Sequence, residues 1–389
     1  MSRERILDIE ILRAVAVMVV VVHHTRDNLL PWSSPGLERL TVYFGGWVGV
    51  DLFFAISGFV IARSLLPQLQ ASRGGIDAFR ITLAFWLRRA WRLLPSAWLW
   101  LALILVAAVV FQESGLFGSV RANIEATVAG VLQVANLRFL ETFGRSEYGA
   151  SFVYWTLSLE EQFYLLLPLV VLLLRRWLVP VLLLIVAWQL VTERTLTMMV
   201  FRCDGLLLGV LLAIWSRHST YALARPVFLQ RLPAKGTLLL LVVVLFMGLL
   251  GSDVLKIASH RMSLVALLSI LLVWVASYND DLFLFSPLRE IFAWLGSRSY
   301  AIYLIHIPAF SLTRQIWRWL APGQTVDETF FYPYVLTAGL LILLLSELNY
   351  RLVETPLRRR GARIAARFAR QEPSDADTDA DRRRRELSV

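Results

Sequence analysis

The residues best suited to chemistry sit where an apolar chain should have none. Arg13 and His24 bracket the apolar run 14–22 and lie eleven positions apart. On a helix that separation is about 16 Å, roughly half the hydrocarbon thickness of a bilayer. An ionisable side chain at that depth is costly, and its default reading is functional. His24 is read as a general base that takes a proton from an attacking hydroxyl. Asp51 falls near the start of the next apolar run. If the two runs form antiparallel helices, His24 and Asp51 share a depth, and the carboxylate would fix the imidazole tautomer. Two plainer roles for Asp51 stay open: a helix cap, or a partner for Arg26.

Four more stretches carry polar groups within apolar surroundings. Glu160 and Glu161 interrupt the run 152–174, with Tyr154 and Trp155 one or two turns before them. Both carboxylates cannot face lipid cheaply. Glu160 therefore lies on a stripe that receives a hydroxylated substrate, or pairs with a buried cation such as Arg202. Arg202, Cys203 and Asp204 repeat the pattern, with Arg202 and Asp204 as substrate-binding candidates and Cys203 more simply a small core residue. Arg88, Arg89 and Arg92 form a cluster in which Arg88 and Arg92 are spaced i, i+4. Guanidinium groups suit bidentate phosphate binding, yet the same cluster also fits a cytoplasmic sorting signal. Ser299, Tyr303 and His306 recur at i, i+4, i+7, one helical face expected to line a cavity.

Apolar helices must hold these groups. The 389 residues are 57% hydrophobic, above the roughly 45–50% of soluble domains, and mean hydropathy is +0.62. An all-α polytopic membrane protein is expected, with ten spans around a polar cavity. They fall at 8–28, 46–66, 93–111, 152–174, 177–191, 198–215, 236–252, 262–279, 291–312 and 333–352, and a polar, Arg-rich gap occupies 67–92. The net charge of +10 follows membrane orientation rather than nucleic-acid binding. With the N-terminus cytoplasmic, most Lys and Arg fall in inner loops and the tail, so both termini lie inside. The start of the chain has no small-x-small cleavage site and reads as a retained helix rather than a signal peptide. A membrane domain over 1–355 is followed by a basic tail, 356–389, whose first part forms a helix suited to anionic lipid and whose remainder is disordered. The lone cysteine excludes an intramolecular disulfide and a cysteine-based metal site, and no metal is expected.

Together these features describe a phosphate-bearing donor held near the arginines and a polar acceptor among Asp51, Glu160 and Asp204, with His24 between them. Seven motifs in order then resemble the integral-membrane acyltransferase-3 family, which O-acylates bacterial glycans and some small natural products. They are LRAVAVMVVVVHH, GGWVGVDLFFAISGFVIA, FWLRRAWRLLP, YWTLSLEEQFYLLLP, FRCDGLLLGVLLA, SYAIYLIHIP and YRLVETPLRR, and they cover residues 5–358.

The resemblance implies ten core helices in the bacterial inner membrane. It implies acetyl-CoA or another acyl-CoA as cytoplasmic co-substrate and a glycan or lipid-linked sugar as acceptor. His24 becomes the essential residue, and Arg13, Arg88, Arg89 and Arg92 support the donor. His23 beside His24 departs from the pattern and points elsewhere on the helix. Some family members carry a further extracytoplasmic domain; here the membrane domain is expected to complete transfer alone or with a partner. Two other readings are a transporter or flippase for an acyl group or lipid-linked sugar, and acylation of a small secondary metabolite. No inverted repeat supports the transporter reading.

Overall fold

The computed structural model describes residues 6–230, 235–254 and 260–369, and among these every long element is an α-helix. The helices that build the site are α1 (Leu7–His23), α2 (Val48–Gln70), α3 (Gly75–Val110), α4 (Val120–Val131), α5 (Ala135–Thr142), α6 (Tyr154–Leu174) and α7 (Leu178–Val191). They continue with α8 (Asp204–Trp215), α9 (Lys235–Leu250), α10 (Arg261–Ala276), α11 (Leu288–Ser297), α12 (Ser299–Leu320), α13 (Phe331–Asn349) and α14 (Thr355–Ala369). Among the described residues, four continuous stretches are long and apolar enough to cross a bilayer: Val48–Gln70, Gly75–Val110, Tyr154–Val191 and Glu328–Phe368.

The expected span 198–215 breaks before Asp204 and 291–312 breaks at Arg298; three further differences each have a local reason. The first helix stops at His23 rather than 28. Asp27 takes a left-handed conformation (φ 64°), which short polar side chains tolerate better than most, and the backbone turns away there. The gap 67–92 is almost wholly helical: α2 runs to Gln70 and α3 starts at Gly75, so the arginines lie on a helix of 36 residues. That helix is about 54 Å long and exceeds the hydrocarbon layer, so its polar first half reads as a loop by composition. The stretch 111–153, left between spans, contains α4 and α5. Asn123 locks this pair, donating to the Phe117 carbonyl (2.8 Å) and accepting from the Ala150 amide (3.0 Å). Arg138 adds an ion pair to Glu125 (2.8 Å) and a hydrogen bond to the Tyr148 carbonyl (3.2 Å).

The core is the seam of α2, packed against α1, α8 and α10. Backbones approach so closely at α2 and α8 that a Cβ on Gly58 would lie 2.0 Å from the Leu206 carbonyl oxygen, and one on Gly209 2.4 Å from that of Ala55. Small residues allow this packing where no hydrophobic drive acts between helices in lipid. Gly58→Ala is therefore expected to separate the pair and cost about 1–3 kcal/mol, as overpacking does. A fall in thermal midpoint of the detergent-solubilised protein would register it, while Val60→Ala on an exposed part of α2 would leave it near wild type.

The segment after residue 355 is helix to Ala369 and packs along α3. A Cβ on Gly361 would meet that of Trp91 at 2.2 Å, and Ala365 is fully buried. Arg359, Arg363 and Arg367 face outward. The expected disordered remainder, 370–389, lies outside the described residues.

Candidate active site

Two cavities meet in the middle of the bundle. The first is lined by Arg13 of α1, Ser57 of α2, Arg89 and Arg92 of α3, and Glu160 and Glu161 of α6, among others. Helical spacing places these groups together: Arg89 and Arg92 are i, i+3, and Glu160 and Tyr164 are i, i+4. Tyr164 donates to Glu160 Oε2 (2.5 Å) and Ser57 Oγ lies 3.4 Å from both Glu160 oxygens. The Arg89 guanidinium sits 4.4 Å from the centre of the Tyr164 ring, a cation–π contact. Arg13 reaches Glu10 at 3.8 Å. The buried Nε atoms of Arg13 and Arg92 have no hydrogen-bond partner among the described residues.

The second cavity is wider, about 850 Å³, and holds His24, His23, Arg202, Trp155, Asp253 and Arg261 among its lining. Its far wall comes from α5 and the turn before α6. Trp155 stacks on Phe139 (5.2 Å between centres), and Phe139 packs on the exposed Phe143 (5.0 Å), an aromatic face running toward the rim.

A short chain of bonds fixes the state of His24. His306 Nδ1 lies 2.8 Å from the Tyr303 carbonyl oxygen, and His306 Nε2 lies 2.9 Å from His24 Nδ1. A carbonyl oxygen only accepts, so Nδ1 of His306 carries the hydrogen. In the neutral ring its Nε2 is then an acceptor, and His24 Nδ1 must donate to it. That leaves His24 Nε2 bare, with its lone pair available as a base. The rings of His24 and His306 stack 5.1 Å apart, and Phe152 meets His24 edge-on at 5.3 Å. His306 is wholly buried.

The polar neighbour at His24 Nδ1 is therefore His306 rather than Asp51. Asp51 pairs instead with Arg202 (3.2 Å), and Asp204 pairs with Arg194. All four side chains are at most 3% exposed. Each long guanidinium reaches across to the carboxylate of a neighbouring segment, a contact that depth along a helix does not reveal. Neither Asp51 nor Asp204 lines either of these two cavities, whereas Arg202 does face the His24 cavity. Glu160 lies in the arginine cavity rather than in the His24 cavity, and its partners are Tyr164 and Ser57 rather than Arg202. Tyr154 and Trp155, adjacent on α6, diverge: Tyr154 lines the arginine cavity and donates to the Ala97 carbonyl (2.9 Å), while Trp155 faces the His24 cavity. Of the arginine cluster, Arg89 and Arg92 line the cavity and Arg88 does not. Cys203 is half-buried, accepting from Gln189 at 3.4 Å.

Sequence reasoning missed Ser57, Tyr164 and Tyr300, which line the arginine cavity, and gave no role to the buried Glu354. Tyr300 lines the arginine cavity and donates to the Leu93 carbonyl (2.7 Å). Glu354, 2% exposed, closes a π-helical turn, Tyr350–Glu354, and has an unpartnered Oε2. Such turns often mark function, but their sequence carries no periodic signal.

A family model described as "Acyltransferase domain" matches residues 6–347. The peptidoglycan O-acetyltransferase OatA of Listeria monocytogenes is 27% identical over 389 residues, covering 92% of this chain and 57% of that protein. The putative peptidoglycan O-acetyltransferase YrhL of Bacillus subtilis is 28% identical over 393 residues, covering 92% and 55% respectively. A putative O-acetyltransferase of Staphylococcus aureus is 26% identical over 387 residues, covering 90% and 57%. The chain thus spans little more than half the length of these relatives. No solved structure matches it.

Proposed function

Because the chain belongs to the acyltransferase family, we propose that it is a membrane O-acyltransferase moving an acyl group, acetyl in the first instance, from acyl-CoA to a sugar hydroxyl of a cell-envelope glycan. The observation that carries this reading is a histidine whose Nε2 is left unprotonated, in a cavity adjoining a second one lined by Arg13, Arg89 and Arg92. Arg13, Arg89 and Arg92 hold the anionic part of the donor. The acceptor enters the wider cavity, where the aromatic face of Trp155 and Phe139 suits the apolar face of a sugar ring. The acceptor oxygen attacks the thioester carbonyl carbon while His24 Nε2 takes the hydroxyl proton. The C–S bond then breaks, and the imidazolium returns its proton to the departing thiolate, leaving an ester and free thiol. In this scheme ten helices cross the bacterial inner membrane with both termini cytoplasmic, so the arginines face the donor's compartment.

Purified protein given radiolabelled acetyl-CoA and a peptidoglycan or oligosaccharide acceptor should form an alkali-labile ester. Absence of ester, with label carried only across a vesicle membrane, would favour a transporter instead. Arg92→Ala should raise KM for acetyl-CoA by about 10- to 150-fold, the equivalent of about 1.5–3 kcal/mol for a charge-assisted hydrogen bond, and leave KM for the acceptor near wild type. Initial-rate titration of each substrate separates the two.

A further inference from the structure

Both cavities share only two lining residues, Val50 of α2 and Tyr303 of α12. On the reading that an acyl-CoA occupies the arginine cavity, we infer that Val50 is the specificity-determining residue for acyl length. The thioester must meet the hydroxyl and the His24 imidazole where the two cavities join, so its acyl group passes, or rests, between these two side chains.

Three observations support a tight fit there. The arginine cavity holds only about 80 Å³, against about 850 Å³ on the His24 side. A water needs about 10–15 Å³ on this scale, so the arginine side is the closely packed one and leaves little slack around a group that reaches the junction. Tyr303 cannot swing aside freely. Its hydroxyl pairs with Thr156 Oγ1 (2.7 Å) and lies 3.2 Å from the Val153 carbonyl. Its ring is held between Phe53 (6.1 Å) and His306 (5.7 Å). The other shared lining residue is Val50, a buried β-branched side chain with no polar tether and few rotamers. Changing its volume changes the passage directly, while His24, His306 and the arginines keep their partners.

The test compares purified wild type, Val50→Ala and Val50→Ile with acetyl-CoA, propionyl-CoA and butyryl-CoA on one oligosaccharide acceptor. One methylene in an apolar pocket discriminates by about tenfold or more. The propionyl-to-acetyl ratio of kcat/KM should therefore rise about tenfold in Val50→Ala and fall in Val50→Ile. A misfolded fraction scales all donors alike, so the ratio is read within each preparation and survives a loss of yield. An unchanged ratio in both variants, with wild type turning over acetyl-CoA, overturns the role of Val50 and leaves the donor reading standing. A wild type that forms no ester from any acyl-CoA overturns the donor reading, and the role of Val50 with it.

Discussion

Replacing His24 by Ala is expected to lower kcat for acyl transfer by about 10²–10⁴-fold, the usual contribution of a positioned general base, with yield and detergent stability near wild type. The ring lies in a cavity and is not part of the sealed core, so its loss leaves no packed void to collapse. Replacing His306 tests the orientation argument separately. His306→Phe keeps the ring volume but removes the acceptor for His24 Nδ1. His24 is then free to place its hydrogen on Nε2, where it no longer serves as a base. The expected result is a lower kcat with unchanged KM for both substrates. Near-normal turnover in His24→Ala would remove the mechanism altogether; near-normal turnover in His306→Phe would remove only the relay.

A second large effect concerns stability. Asp51→Ala leaves Arg202 as an uncompensated cation in a buried position, and breaking a buried pair from one side costs about 3–5 kcal/mol. Loss of detergent-soluble, monodisperse protein at room temperature is the expected outcome. The double variant Asp51→Leu with Arg202→Met should recover much of the loss, because an apolar pair of similar volume often matches a buried ion pair. Its stability would return without full activity, since Arg202 also faces the His24 cavity. If Asp51→Ala alone is as stable as wild type, the pair does not brace α2 against the segment leading into α8.

The sequence disclosed the inventory of the site better than its pairings. His24, Arg13, Arg92, Glu160 and Tyr303 stand out because a charge or a polar ring in an apolar run has few neutral explanations. The face expected of Ser299, Tyr303 and His306 at i, i+4, i+7 is met in part: Ser299 lines the arginine cavity and Tyr303 both cavities, whereas His306 touches His24 but lines neither. What helical periodicity cannot supply is the partner across a bundle. Depth along two helices matches Asp51 with His24, but azimuth decides contact, and Asp51 points to Arg202. In the same way the i, i+4 spacing favoured Arg88 with Arg92, whereas the i, i+3 pair Arg89 and Arg92 faces the cavity. Composition misled at 67–92, where arginine-rich helix resembles loop. It gave no hint of α4 and α5, whose stability comes from Asn123 and Arg138 reaching backbone groups far along the chain.

The last described helix bears on how this protein should be handled. Gly361 presses on Trp91, the residue immediately before Arg92, and Arg360 lies 5.5 Å from the same ring. Glu354, in the turn leading into this helix, is a single helical turn from Arg358, with which it pairs at 4.0 Å. Truncation at residue 355, or a bulky fusion joined there, would unseat the indole and let the guanidinium beside it drift. Loss of donor affinity in a shortened protein would then reflect a missing buttress rather than a missing binding group.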